Sequence, residues 1–185
     1  MASVKQKHDG AAKVEQLSQD AKIVFGSHLR QDFKLQVQNT EKSACYQPTV
    51  LVCKAPVQAE NIHKIEAFGP VVTLMPYTDL AQLADLVARG EGSLVASIVR
   101  NTDENIEQLL SKIAPWHGRV HILDAESAKE STGHGSPLPL LVHGGPGRAG
   151  GGEELGGLRA VKHYMQRTAI QGSPNAMTQV GHSWT

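Results

Sequence analysis

An α/β fold, a mainly parallel sheet with flanking helices, follows from the way strand-like and helical segments alternate along this 185-residue chain. Three observations predict it. Two β-branched runs, Thr49-Val50-Leu51-Val52-Cys53 and Val71-Val72-Thr73-Leu74-Met75, are each bounded by proline. Residues 79–89 and 103–114 repeat apolar side chains at helical spacing, and each segment is followed by a further strand-like run, at 94–99 and 119–123. Alternation of that length implies βαβ units and parallel pairing.

The elements can be justified in order. Ala11, Val14, Leu17 and Ala21 form a loose helical stripe over 9–21, and Ile23-Val24-Phe25 reads as a short strand closed by Gly26. Residues 27–47 are polar, with weak alternation at Phe33, Leu35 and Val37. In the first strong helix Leu80, Leu83, Ala84 and Val87 share a face, Asp79 stands in the first turn and Gly90 stops it. The second places Ile106, Leu109, Leu110 and Ile113 together, after Thr102 as cap and before Pro115. Beyond residue 123 come a Ser-, Gly- and Pro-rich loop, a glycine cluster, an amphipathic segment with Leu155, Leu158, Val161 and Met165, and a short strand at 167–171. The stretch from Gly172 onward reads as an unattached tail.

Composition narrows the function. Lys+Arg and Asp+Glu both number 18, so the net charge is zero, which argues against nucleic acid or an anionic membrane surface as main partner. Hydrophobic content of 40% is that of a folded chain, and the length suggests one domain. No apolar run is long enough to span a membrane, and residues 1–7 lack a signal peptide's apolar core. Two cysteines, Cys45 and Cys53, make no disulfide framework, so a reducing cytoplasm is the expected setting.

Several motifs are weighed on their chemistry. Gly145-Pro146-Gly147-Arg148-Ala149-Gly150 matches G-x-G-x-x-G, a loop that can seat a pyrophosphate on a helix N-terminus. The acidic residue expected roughly 20 positions later is absent, and Pro146 lacks an N–H donor where donors are needed. A backbone-crowded structural loop is the preferred reading. His117 and His121 have helical ligand spacing but sit in a strand-like run, so no metal site is expected. Cys53, inside a strand, reads as a small buried hydrophobe, and Cys45 has no activating base nearby in sequence. Glu66 and Phe68, next to the Gly69-Pro70 turn, are of another kind: a carboxylate that can accept from ribose hydroxyls beside a ring that can pack a cofactor.

Glu66-Ala67-Phe68-Gly69-Pro70-Val71 resembles the E-x-F-G-P-V motif of the aldehyde dehydrogenase superfamily, and Tyr46-Gln47-Pro48-Thr49-Val50 resembles the F-x-P-T strand ahead of it. Gly144-Gly145, then Gly150-Gly151-Gly152-Glu153-Glu154-Leu155-Gly156, is similar to the family's glycine-rich stretch near its C-terminus. The order is collinear over nearly the whole chain. The run from Val142 to Glu154, with His163-Tyr164-Met165-Gln166-Arg167-Thr168-Ala169 after it, is similar more narrowly to the semialdehyde dehydrogenase part of bifunctional ring-opening enzymes of bacterial phenylacetate degradation.

The resemblance implies specific roles. Glu66 would bind the nicotinamide-side ribose of NAD or NADP, and Phe68 would pack near the nicotinamide. Leu141, Val142 and His143 would line the aldehyde pocket, with His143 making it more polar than the Phe of many relatives. Arg167, Thr168, Ala169, Ile170 and Gln171 would form the strand through which family members build homo-oligomers, an unpaired edge being a physical reason to pair. The family's nucleophilic cysteine, its glutamate base and its nucleotide domain precede the E-x-F-G-P-V motif by more than the 65 residues available here. The resemblance therefore implies a partial catalytic domain over 1–165, an oligomerisation strand over 166–172 and a tail over 173–185. By itself such a chain is expected to hold no catalytic residue, bind no cofactor and lack dehydrogenase activity. The alternative is a non-catalytic assembly or binding module on the same scaffold.

Overall fold

Ser3 opens the first helix. Its side-chain oxygen accepts from the Gln6 N–H at 3.1 Å, and the chain then coils over Val4–Leu17, α1. The structure is a computed structural model that describes residues 1–26, 36, 39, 41–101, 106–131, 144–150, 165 and 168–183. The chain divides into two compact units, Met1–Thr78 and Asp79–Thr185, where length alone suggests one. Among the described residues no helix is long and apolar enough to cross a membrane.

In the first unit α1 is followed by β1 (Lys22–Phe25), β2 (Thr49–Val52), α2 (Asn61–Lys64) and β3 (Val71–Leu74). The sheet order is β1-β2-β3. β1 runs antiparallel to β2, with a bulge between Ile23 and Phe25, and β2 runs parallel to β3 in the register Thr49↔Val71 to Val52↔Leu74. Parallel strands need a crossover, and residues 53–70 supply it with the short α2 inside. Asp20 fixes where α2 starts: Oδ2 accepts from the Glu60 N–H at 3.0 Å and the Asn61 N–H at 2.5 Å. One face of the sheet buries Leu51 and Cys53 under Leu17 and Ala21, with Ile23, Ile62, Ile65 and Val71 packed around them. Burial of Cys53 follows from this position in the core.

The second unit contains α3 (Leu80–Ala88), β4 (Ser93–Val99), α4 (Glu107–Ile113), a 3-10 turn (Ala114–Trp116), β5 (His117–Leu123), a 3-10 turn (Gly147–Ala149), β6 (Ala169–Gln171) and α5 (Pro174–Gly181). Asp79 is the cap of α3 and not part of its first turn: its Oδ1 accepts from the Gln82 N–H at 2.9 Å. The sheet β4-β5-β6 is parallel throughout. One face of β5 carries Val120 and Ile122, fully buried under Ile106 and Leu110 of α4 and Ala176 of α5. Leu109 and Ile113 of α4 also meet Ala84 of α3.

The α/β expectation is met as a mixed fold whose second sheet is parallel with helices packed on it. The expected start of α4 at Thr102, the alternation at Phe33, Leu35 and Val37, and the amphipathic segment around Leu155, Leu158 and Val161 lie outside the described residues. The segment read as an unattached tail is instead helical over Pro174–Gly181. Ser173 caps that helix, its oxygen accepting from the Ala176 N–H at 3.3 Å, and Pro174 supplies a preset φ at the first helical position. A cap, a proline and one buried alanine are too few apolar positions to give a visible stripe.

Candidate functional site

The residues from Glu66 to Pro70 make the turn into β3. The Ile65 N–H donates to Asn61 O at 2.8 Å and ends α2, the chain then extends, and the Val71 N–H bonds back to Gly69 O at 2.8 Å around Pro70. Pro70 O accepts from the Thr49 N–H at 2.9 Å, so the turn is pinned to the first residue of β2. That anchoring leaves the side chains of Glu66 and Phe68 facing outward. Phe68 is 66% exposed, an unusual position for a large apolar ring.

Both residues border a groove of about 490 Å³, lined also by Leu17, Ile62, Ile65 and Thr73. That volume is within the range of small-molecule clefts, roughly 300–1,000 Å³, as is the mix of apolar wall with a few polar groups. Among the described residues Glu66 has no hydrogen bond or ion pair, so its carboxylate can accept from a ligand hydroxyl. An exposed ring beside an unengaged carboxylate fits a ribose-bearing cofactor with an aromatic base. The groove lies where the chain enters β3. In parallel α/β sheets the usual location is the opposite, carboxyl end of the strands.

The other sequence-selected residues fall elsewhere. Leu141, Val142, His143 and Arg167 lie outside the described residues. Ala169, Ile170 and Gln171 form β6, which pairs with β5 in the register Arg119↔Ala169 to His121↔Gln171, and Thr168 Oγ1 donates to Ala114 O at 2.6 Å and His117 O at 2.9 Å. On the far side of β6 no strand is paired among the described residues. Cys45 is exposed in the loop before β2. Among the described residues no cluster of three or more His, Cys, Asp or Glu could hold a metal ion.

The glycine loop is closed on itself. The Gly145 N–H donates to Gly150 O at 2.9 Å, the Arg148 N–H to Glu91 O at 3.0 Å, and the Ala149 and Gly150 N–H groups to Pro146 O and Gly147 O at 3.1 Å each. A phosphate cradle needs such amides unengaged. The loop crosses the entering ends of β4 and β5 so closely that a Cβ on Gly118 would collide with the Gly144 carbonyl, and one on Gly147, at φ 53°, with the Glu91 carbonyl. The glycines thus serve backbone-to-backbone contact, as the absence of a downstream acid and the presence of Pro146 had suggested.

Three features had no sequence signal. Leu17, Ile62 and Ile65 read as core and also wall the groove. His117 and His121, on one face of β5, hydrogen-bond to two different serines: Ser93 Oγ to His117 Nδ1 at 2.7 Å and Ser131 Oγ to His121 Nε2 at 2.9 Å. At the carboxyl end of the second sheet, a buried Arg100–Asp124 pair, Nη2 to Oδ2 at 3.4 Å, gathers Ser173 and Gln179 from the C-terminal segment.

Residues 1–170 match the aldehyde dehydrogenase family. The MaoC protein of Klebsiella aerogenes is 55% identical over 141 residues, covering 76% of this chain and 42% of that protein. The 3,4-dehydroadipyl-CoA semialdehyde dehydrogenase of Aromatoleum evansii is 39% identical over 138 residues, covering 75% of this chain and 26% of that protein. The chain therefore spans less than half the length of these relatives. With the match running from the first helix through the E-x-F-G-P-V turn to β6, the chain belongs to the aldehyde dehydrogenase family.

Proposed function

We propose that this chain forms the distal part of the catalytic domain of an NAD(P)-dependent aldehyde dehydrogenase, and that its groove takes the nicotinamide half of the cofactor. The observation that carries this is the pairing of an exposed Phe68 ring with an unengaged Glu66 carboxylate on one groove edge. The cofactor, when bound, accepts hydride from the substrate carbon. Glu66 holds the ribose hydroxyls and Phe68 packs against the ring system, so both orient and neither reacts. Leu141, Val142 and His143 line the aldehyde pocket. The semialdehyde dehydrogenase named among the relatives supports a CoA-linked semialdehyde as the substrate class. Residues 167–171 join copies into an oligomer, a reading supported by the unpaired edge of β6.

The test of the site is a chimera in which this chain replaces its aligned region of the Klebsiella protein. Glu66→Gln there removes a charge-assisted hydrogen bond of about 1.5–3 kcal/mol, raising KM for NAD(P)+ roughly ten- to a hundredfold. An unchanged KM in an active chimera refutes the ribose role. The 185-residue chain alone is expected to give no aldehyde-dependent NAD(P)H. Robust turnover that survives Cys45→Ala and Cys53→Ala overturns the partial-domain reading. Light scattering over a concentration series tests assembly, and a monomer throughout removes it.

A further inference from the structure

We infer that His117 and Ser93 form an acid-sensitive clasp, which holds the glycine loop at residues 144–150 against the entering ends of β4 and β5 and releases it on acidification. The ring is only 8% exposed and spans the two strands at their first residues, Ser93↔His117. Nδ1 lies 2.7 Å from Ser93 Oγ, and Ser93 Oγ lies 3.2 Å from Val95 O. This chain of contacts selects one tautomer: Nδ1–H donates to Ser93, whose hydroxyl donates to Val95 O. Nε2 is then a bare lone pair, and it is buried with no hydrogen-bond partner.

Protonation at Nε2 creates a second N–H and a full charge where the protein offers no acceptor. Such a group is costly to keep buried. Nothing described around the ring compensates. β4 contributes the neutral Ser93, and the residue entering β6 contributes Thr168, whose Oγ1 donates to His117 O. Loop residues 144–147 are uncharged; Arg148 extends to Gly90 O, and Glu91 is exposed. Along β5 the same face continues with Arg119 and His121, which add positive charge. An imidazolium can be hydrated only if water enters between the strand ends and the loop. The loop backbone sits directly on these ends, since a Cβ on Gly145 would meet Ser93 O and one on Gly118 would meet the Gly144 carbonyl.

Burial pushes the His117 imidazole below its ordinary 6.5. With the folded value depressed, the unfolded or opened form binds the extra proton first. The stabilisation is therefore complete above about pH 6.5 and is lost as pH falls toward the folded value.

Hydrogen exchange on the intact chain between about pH 7.5 and 5, the range over which histidine charges, tests this. With intrinsic exchange divided out, opening at residues 93–95, 118–119 and 145–150 should rise by up to about tenfold per pH unit. Opening at β2 in the first unit should stay flat. His117→Gln, which cannot take the proton, should abolish the rise, and His182→Gln, which removes only an exposed pairing with Glu107, should keep it. A rise that persists in His117→Gln, or that disappears in His182→Gln, overturns the proposal. Should His117→Gln fail to fold, imidazole nitrogen spectra of the unsubstituted chain decide: protonation of His117 must coincide with loop opening, and either one without the other refutes the clasp.

Discussion

Asp124→Asn is the substitution whose cost the structure defines best. Asp124 Oδ1 accepts from the Glu126 N–H at 3.2 Å, the Ser127 N–H at 3.0 Å and Ser127 Oγ at 3.1 Å. Oδ2 takes Ser173 Oγ at 3.1 Å and Arg100 Nη2 at 3.4 Å. Asparagine keeps a carbonyl for the first set and turns an NH2 toward the second, placing donor against donor beside a guanidinium whose side chain is 1% exposed. Breaking a buried pair by removing one partner costs about 3–5 kcal/mol. The 3.4 Å separation is long for a charge-assisted bond, normally about 2.7–2.9 Å, which points to the lower end, about 3 kcal/mol. For a chain of this size that lowers Tm by roughly 6–12 °C. Thermal unfolding followed by circular dichroism gives the number, and proteolysis within residues 174–181 should accelerate, because Ser173 and Gln179 tie α5 to this network. Adding Arg100→Met should recover part of the loss by removing the stranded charge. A Tm change under about 2 °C for Asp124→Asn, or no recovery in the double variant, would refute the reasoning.

Further outcomes follow from burial and from close approach. Leu51→Ala, at a fully buried position in the first core, should cost about 2–5 kcal/mol in a urea titration. Gly118→Ala forces its methyl into the Gly144 carbonyl, so overpacking of about 1–3 kcal/mol is expected, with hydrogen-exchange protection lost at 145–150 before it is lost elsewhere. Phe68→Ala should change stability by no more than about 0.5 kcal/mol, since the ring is mostly exposed, while weakening NAD(P)+ binding in the chimera with the Klebsiella protein. A strongly destabilised Phe68→Ala would mean that the ring is structural.

What was legible in the sequence divides along the range of the interactions involved. β2 and β3 could be read because prolines and β-branched residues act locally, and α3 because its stripe, its Asp79 cap and Gly90 all act within a few residues. α5 could not, since it is stabilised by Asp124, about fifty positions earlier in the chain, and by one alanine filling a gap against Ile122. The same holds at the groove. Glu66 and Phe68 were visible as chemistry on a turn, whereas the groove they border exists because Leu17 and Ile62 converge on Val71 from separate helices. The serine partners of His117 and His121 depend on strand register and on a loop return, neither of which spacing along the chain encodes.

The two glycine-bearing motifs show why a pattern of residues becomes a site only once its hydrogen bonds are assigned. G-x-G-x-x-G at 145–150 has the letters of a nucleotide loop, yet the amides of Gly145, Arg148, Ala149 and Gly150 are engaged within the unit, and its glycines are filled against Gly118 and Glu91. Buried main-chain groups are obliged to pair, so amides already paired across a tight loop are not available to a phosphate. At the Gly69-Pro70 turn the main chain is equally satisfied, through Val71 to Gly69 and Thr49 to Pro70. There the backbone is consumed in holding the turn rigid while the side chains of Glu66 and Phe68 remain unengaged. Binding at that turn must therefore be a side-chain property. Substitution at Glu66 or Phe68 should move ligand affinity with little effect on the fold, whereas substitution at the 145–150 glycines should move the fold with no direct effect on ligand.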